Sequence, residues 1–108
     1  MPDEVDPSAV ARRMKEQPDS LVLLDVREPY ERQMASIVPS LHIPMNEVPD
    51  RLGEIPRDRQ VVVYCHSGVR SSMVAAFLET SGFESVANLS GGIDAWSVRV
   101  DPKVPRYG

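Results

Sequence analysis

The sequence predicts an α/β sandwich on a mostly parallel sheet, and three observations carry that reading. "QVVVYC", residues 60–65, is apolar and β-branched almost throughout, the pattern of a central strand covered on both faces. Shorter apolar runs at 21–26 and 41–44, and a weaker one at 85–89, alternate with stretches of helical character along the chain. The ten prolines stand singly between these segments as punctuation, not as a proline-rich tract.

Each element has a local reason. "DPSAVARRMKEQ" opens on Asp6, a good N-cap, with Pro7 suited to the first helical position. Val5, Ala9, Val10 and Met14 give this helix an apolar stripe, and Pro18 stops it. "LVLLDV" is a short continuous apolar strand, and "EPYERQMA" suits a short helix beginning at Pro29. "LHIP" reads as a strand ended by Pro44, and "VPDRLGEI" as one or two helical turns. "SSMVAAFLETSGF" reads as a helix with Gly82 at its C-terminal cap; it is apolar on more than one side, which predicts extensive burial. "SVANL" is a weak strand, "GGIDAWSVRV" a last short helix, and "DPKVPRYG" an extended tail.

The chain of 108 residues suits one domain spanning 1–108, enough to bury roughly two thirds of its unfolded surface. It is 42% hydrophobic and 26% charged, ordinary globular usage that argues against global disorder. A net charge of -4 without a Lys/Arg block gives no electrostatic footprint for nucleic acid. A single cysteine makes no intramolecular disulfide, the N-terminus lacks a secretory pattern, and the longest apolar run, "MVAAFL", is far too short for a membrane span. The expectation is a cytoplasmic domain that engages neither nucleic acid nor membrane.

The chemistry concentrates on Cys65, at the end of the most convincing strand and before a helix. In parallel sheets, sites lie beyond the carboxyl ends of strands, where helix N-termini point. Backbone N–H groups of the 65–70 loop, the helix N-terminus and Arg70 would all favour an anion at Cys65. Gly68 permits a backbone turn that other residues resist. These influences lower a thiol pKa and make a nucleophile, or stabilise a charged adduct on sulfur. The bland alternative is a small buried apolar residue. Phosphatases with a Cys–Arg anion loop place arginine six positions after cysteine. Here Cys65 and Arg70 are five apart, a smaller bowl that crowds a phosphate but accepts one extra sulfur atom.

The loop Cys65-His66-Ser67-Gly68-Val69-Arg70, followed by Ser71, resembles the six-residue active loop of single-domain members of the rhodanese-like family. "LLDVREPYE", with Asp25, Arg27 and Glu28, resembles that family's first-strand motif, and "HIPMNEV" the segment after its second strand. "NLSGGIDAW", residues 88–96, resembles its late Leu-x-Gly-Gly-x-x-x-Trp motif. The chain departs from the family at Ala35–Ser40, where the usual glycines and histidine are absent. The resemblance implies a rhodanese-like sandwich with a five-stranded parallel sheet flanked by helices. It implies sulfur transfer through a persulfide on Cys65 and no metal or organic cofactor. Thiosulfate, or a persulfide relayed by a cysteine desulfurase, would be the donor. Cyanide, a thiol or a sulfur-carrier protein would be the acceptor. The tail "VDPKVPRYG" resembles the ends of rhodanese domains fused to adenylyltransferases that activate sulfur carriers.

Among the remaining residues, Arg70 is read as an anion binder and His66 as a solvated rim residue. Ser67 donates either a hydroxyl or only its backbone N–H, and Ser71 caps the helix. Asp25 and Arg27 are read as polar structure supporting the loop, since a carboxylate beside a persulfide would oppose its charge. Glu28 with Pro29 initiates a helix, His42 is a satisfied structural histidine, and Trp96 is core or pocket wall. Two other functions stand beside sulfur transfer. One is a protein-binding module of the same fold, motivated by the altered segment 35–40. The other is a Cys-based phosphatase or arsenate reductase, which the short loop opposes.

Overall fold

The computed structural model describes residues 2–108. Five strands, β1 (Asp3–Val5), β2 (Leu21–Asp25), β3 (Leu41–His42), β4 (Gln60–Tyr64) and β5 (Val86–Leu89), form one sheet in the order β1-β5-β4-β2-β3. Every pairing is parallel. Four helices cover it: α1 (Pro7–Glu16), α2 (Pro29–Met34), α3 (Val69–Thr80) and α4 (Gly92–Arg99). Short 3-10 turns at Met45–Asp50 and Leu52–Glu54 fill the predicted "VPDRLGEI" region.

The central position of β4 follows from its composition. Val61, Val62, Val63 and Tyr64 are all buried. Val61 and Val63 face a cluster with Val74, Ala75, Leu78 and Phe83, while Val62 and Tyr64 face another with Val10, Ile93 and Trp96. This two-residue alternation gives one strand two cores. Asp6 caps α1 as expected, its carboxylate accepting from the N–H groups of Ser8 and Ala9. His42 Nε2 lies 2.8 Å from the Arg27 carbonyl, so this nitrogen carries a proton and donates it.

The structure corrects several expectations. Val5 belongs to an additional edge strand, β1, paired with Leu89, and not to the stripe of α1. A three-residue strand with two exposed acidic residues has no apolar periodicity to announce it. Helix α3 begins at Val69, two residues before the predicted start, and Gly68 occupies its N-cap in the left-handed region. Ser71 therefore lies inside the first turn and does not cap it. Only one side of α3 meets the sheet. Val69, Met73 and Phe77, spaced by four, stay exposed on its outer face, so its burial is less complete than its composition suggested. The Ala35–Ser40 segment closes a compact turn: Ile37 is buried, its N–H donates to the Tyr64 hydroxyl, and the Ser40 hydroxyl donates to the Ile37 carbonyl.

Candidate active site

Cys65 leaves β4 at the carboxyl edge of the sheet and is buried, with 1% of its surface exposed. Its Sγ accepts from the Gly68 N–H at 3.1 Å and the Ser71 N–H at 3.4 Å, and the Ser71 hydroxyl oxygen lies 3.3 Å away. The positive φ of Gly68, 106°, lets the chain turn sharply enough to aim these N–H groups at one atom.

The outer side of the loop is fastened by α4. The Ile93 N–H donates to the Cys65 carbonyl at 2.9 Å, and the Asp94 N–H donates to the His66 carbonyl at 3.1 Å. With its carbonyls tied outward, the loop turns N–H groups inward. Gly92 makes this docking possible. A Cβ there would lie 2.4 Å from the Cys65 carbonyl oxygen and 2.5 Å from that of His66. The double glycine of "NLSGGIDAW" thus has a steric cause, and Trp96 of the same motif is core.

Burial raises the Cys65 thiol pKa. Hydrogen bonds from the Ser71 hydroxyl and the N–H groups of Ser71, Gly68 and Ser67 outweigh that effect and hold it below the ordinary cysteine value. The arrangement favours sulfur as an anion, the state in which it is a nucleophile.

Arg70, expected to bind an anion at the loop, forms a bidentate pair with Glu31 at 2.7 and 2.8 Å. The side chain of Glu31 is nearly enclosed. Chiefly through Arg70, and against burial, its carboxyl pKa drops to about 2. The phenol of Tyr107 joins this pair to a second one. Arg27 donates to the Tyr107 oxygen at 3.0 Å, and the Tyr107 hydroxyl donates to Glu31 at 2.8 Å. Arg27 also grips Asp25 through Nε and Nη2, at 2.9 and 2.8 Å. Asp25 further accepts from Tyr64 and Arg32. Burial pushes the Asp25 pKa up, but Arg27 and Tyr64 together bring it below the usual range. The chain Asp25–Arg27–Tyr107–Glu31–Arg70 is continuous, and every guanidinium nitrogen of Arg27 meets an acceptor.

The remaining predicted residues occupy the rim. Ser67 and Val69 are exposed, and Val69 opens α3. His66 lies at the rim but is half-buried, not solvated as expected. Its ring stacks on Tyr107 with centroids 4.4 Å apart, and its Nε2 is buried without a hydrogen-bond partner among the described residues. Sequence reasoning missed Glu31, Asn88 and Tyr107. Glu31 lay inside a quoted motif, yet nothing local tied it to Arg70, 39 positions away. Asn88 opened the quoted "NLSGGIDAW" stretch, yet nothing local tied it to Ser71, 17 positions away, and Tyr107 sat in a tail whose folding back no local pattern signals.

Residues 6–99 match the family model of the rhodanese-like domain. The chain belongs to this family. A protein described as "Sulfurtransferase" from Allochromatium vinosum is 42% identical over 97 residues, spanning 90% of each chain. The "Probable adenylyltransferase/sulfurtransferase MoeZ" of Mycobacterium tuberculosis is 36% identical over 89 residues, but these span only 23% of its length. A rhodanese-like domain protein from Staphylococcus aureus superimposes with a TM-score of 0.83 at 26% identity, covering 98% of this chain and 99% of that one. The five-stranded parallel sheet expected of a rhodanese-like domain is present. Among the described residues, no helix is long and apolar enough to cross a membrane.

Proposed function

We propose that this rhodanese-like domain transfers sulfane sulfur, carried as a persulfide on Cys65. One observation carries the reading: a buried sulfur at the focus of the Gly68 and Ser71 N–H groups and the Ser71 hydroxyl. The Cys65 thiolate attacks the sulfane sulfur of a donor such as thiosulfate. A new S–S bond forms, the donor's S–S bond breaks, and its electron pair leaves with sulfite. An acceptor nucleophile then attacks the outer sulfur of the persulfide and expels the Cys65 thiolate, regenerating the enzyme. Loop N–H groups hold negative charge on sulfur through both steps at no cost of reorganisation.

Arg70 is engaged by Glu31 and adds little uncompensated charge, which favours donors held by backbone N–H groups over donors clamped by a free guanidinium. Thiosulfate, or a persulfide that is protein-bound or of low molecular weight, is the donor. Cyanide, a thiol or a sulfur-carrier protein is the acceptor. The kinship with an adenylyltransferase/sulfurtransferase supports the carrier-protein acceptor. Asp25 and Arg27 act as supporting structure, and His66 and Val69 shape the mouth of the bowl.

The test is intact mass after brief exposure to thiosulfate, for the native protein and for Cys65→Ser. The expected result is a gain of one sulfur in the native protein alone, reversed by cyanide. A reduced, reactive thiol that gains no sulfur from thiosulfate or from a low-molecular-weight persulfide would overturn the reading.

A further inference from the structure

Behind the reactive sulfur lies a buried pair, Ser71 and Asn88, with 0% and 2% of their surfaces exposed. The donors and acceptors around Asn88 leave its amide one orientation. Its two N–H groups go to Glu4 Oε2 at 2.9 Å and to the Gly68 carbonyl at 3.1 Å, and both partners only accept. The amide oxygen therefore faces the Ser71 hydroxyl, 2.5 Å away, and can only accept from it. Ser71 has a single hydroxyl proton. Committed to Asn88, it leaves a lone pair of the serine oxygen facing Cys65 Sγ, 3.3 Å away. A protonated thiol suits that lone pair as a donor. A thiolate or persulfide anion does not, and is stabilised only if the hydroxyl turns its proton toward sulfur.

We propose that Asn88 is a positioning residue for Cys65, holding the Ser71 hydroxyl proton while the sulfur is a thiol and releasing it when the sulfur becomes negatively charged. The serine is then acceptor and donor by turns, and Asn88 sets how readily it changes role. The same amide steadies the loop through the Gly68 carbonyl, so proton direction and loop shape share one anchor. Other charges near the site act separately. Arg70 is balanced by Glu31, and Tyr107 touches that pair. His66 stacks on Tyr107 from the loop, Asp94 of α4 pairs with Arg106 of the tail, and Glu4 accepts from Asn88 on the side away from the sulfur and from the Ser90 hydroxyl.

The inference deepens the sulfur-transfer reading, but its readouts need no turnover. They are the pH midpoint of Cys65 alkylation by iodoacetamide and the infrared S–H stretch, which comes from one group because the chain has one cysteine. Ser71→Ala removes the donor to the anion and is expected to raise the midpoint by about one unit, the worth of a hydrogen bond to a charged group. Asn88→Leu, similar in shape but without an acceptor, frees the proton for sulfur and lowers the midpoint by about half a unit. In a Ser71→Ala background, Asn88→Leu should change nothing. The native S–H band should sit at lower frequency than in Ser71→Ala, where the thiol loses its acceptor.

An upward shift in Asn88→Leu, or an equal shift with and without Ser71, would overturn the proposal and leave Asn88 as an anchor of the Gly68 carbonyl. If the Asn88 variants do not fold, the S–H band still decides: the same frequency in native and Ser71→Ala protein would show that the serine oxygen accepts nothing from the thiol. Failure of persulfide formation with these results intact would count against sulfur transfer, not against the proton arrangement.

Discussion

Two junctions at the carboxyl edge of the sheet stand side by side and do opposite things. Both follow a central parallel strand, and both lead into a helix. At the β4–α3 junction, the chain aims N–H groups at a sulfur and supplies no carboxylate to oppose its charge. At the β2–α2 junction, Asp25 and Arg27 neutralise each other with every strong donor met. The first leaves a demand for negative charge unanswered by the fold, the second leaves none. The reactivity we propose falls at the junction whose electrostatics are incomplete. Tyr107, arriving from the tail, connects the two.

The sharpest way to break this contrast is at Gly92. Gly92→Ala forces a Cβ into the Cys65 and His66 carbonyls at a φ of +61°. We expect a loss of about 4 kcal/mol in urea unfolding, from left-handed strain plus overpacking. Alkylation of Cys65 in the folded fraction should slow sharply as well, because the loop N–H groups lose their aim. The complementary variant, Arg27→Met, takes the bidentate cation from the buried Asp25, leaving it Arg32 and Tyr64, and should cost about 3 kcal/mol. Here the alkylation rate of the folded fraction should stay within about threefold of native, under half the effect of one charge-assisted hydrogen bond. If Arg27→Met slowed alkylation as much as Gly92→Ala, the two junctions would not be functionally distinct.

A pH measurement sharpens the comparison. Glu31 has a folded pKa of about 2 against an ordinary 4.5, so its contribution to stability is complete above the ordinary value. As pH falls below 4.5 the unfolded chain takes up a proton that the folded chain refuses, and the contribution is lost by about pH 2. Glu31→Gln should flatten the stability curve across that window, measured as urea midpoints at successive pH values. An unchanged slope would mean that the Arg70 pair does not persist in solution. The smallest expected effect is at the connector. Tyr107→Phe keeps the ring on His66 but loses both hydroxyl hydrogen bonds, a cost of about 1 kcal/mol. Tyr107→Ala should cost more, since the stacked ring goes too.

The extent to which the site was legible follows from where its information resides. Cys65, Gly68 and Arg70 share one short loop, so strand, turn and helix signals around them are local and can be read in order. Helix α1 was equally plain, because Asp6 and Pro7 act on their nearest neighbours. The edge strand β1 was not, since its three residues gain their structure only by pairing with β5, more than eighty positions away. Ser71 was misread for the same kind of reason: a serine near a helix start resembles a cap until the sulfur and Asn88 are seen on either side of it.

The sequence by itself determined the alternation of strands and helices, the central place of β4 and the candidacy of Cys65, because hydrophobic period, proline, glycine and caps act over a few residues. Only the tertiary structure decided that Arg70 is held by Glu31, that Tyr107 bridges two ion pairs, and that Asn88 accepts from the hydroxyl beside the sulfur. Those relations depend on which side chains the parallel sheet gathers at one edge. Hydrogen bonds across dozens of residues leave no periodic trace in the chain that makes them.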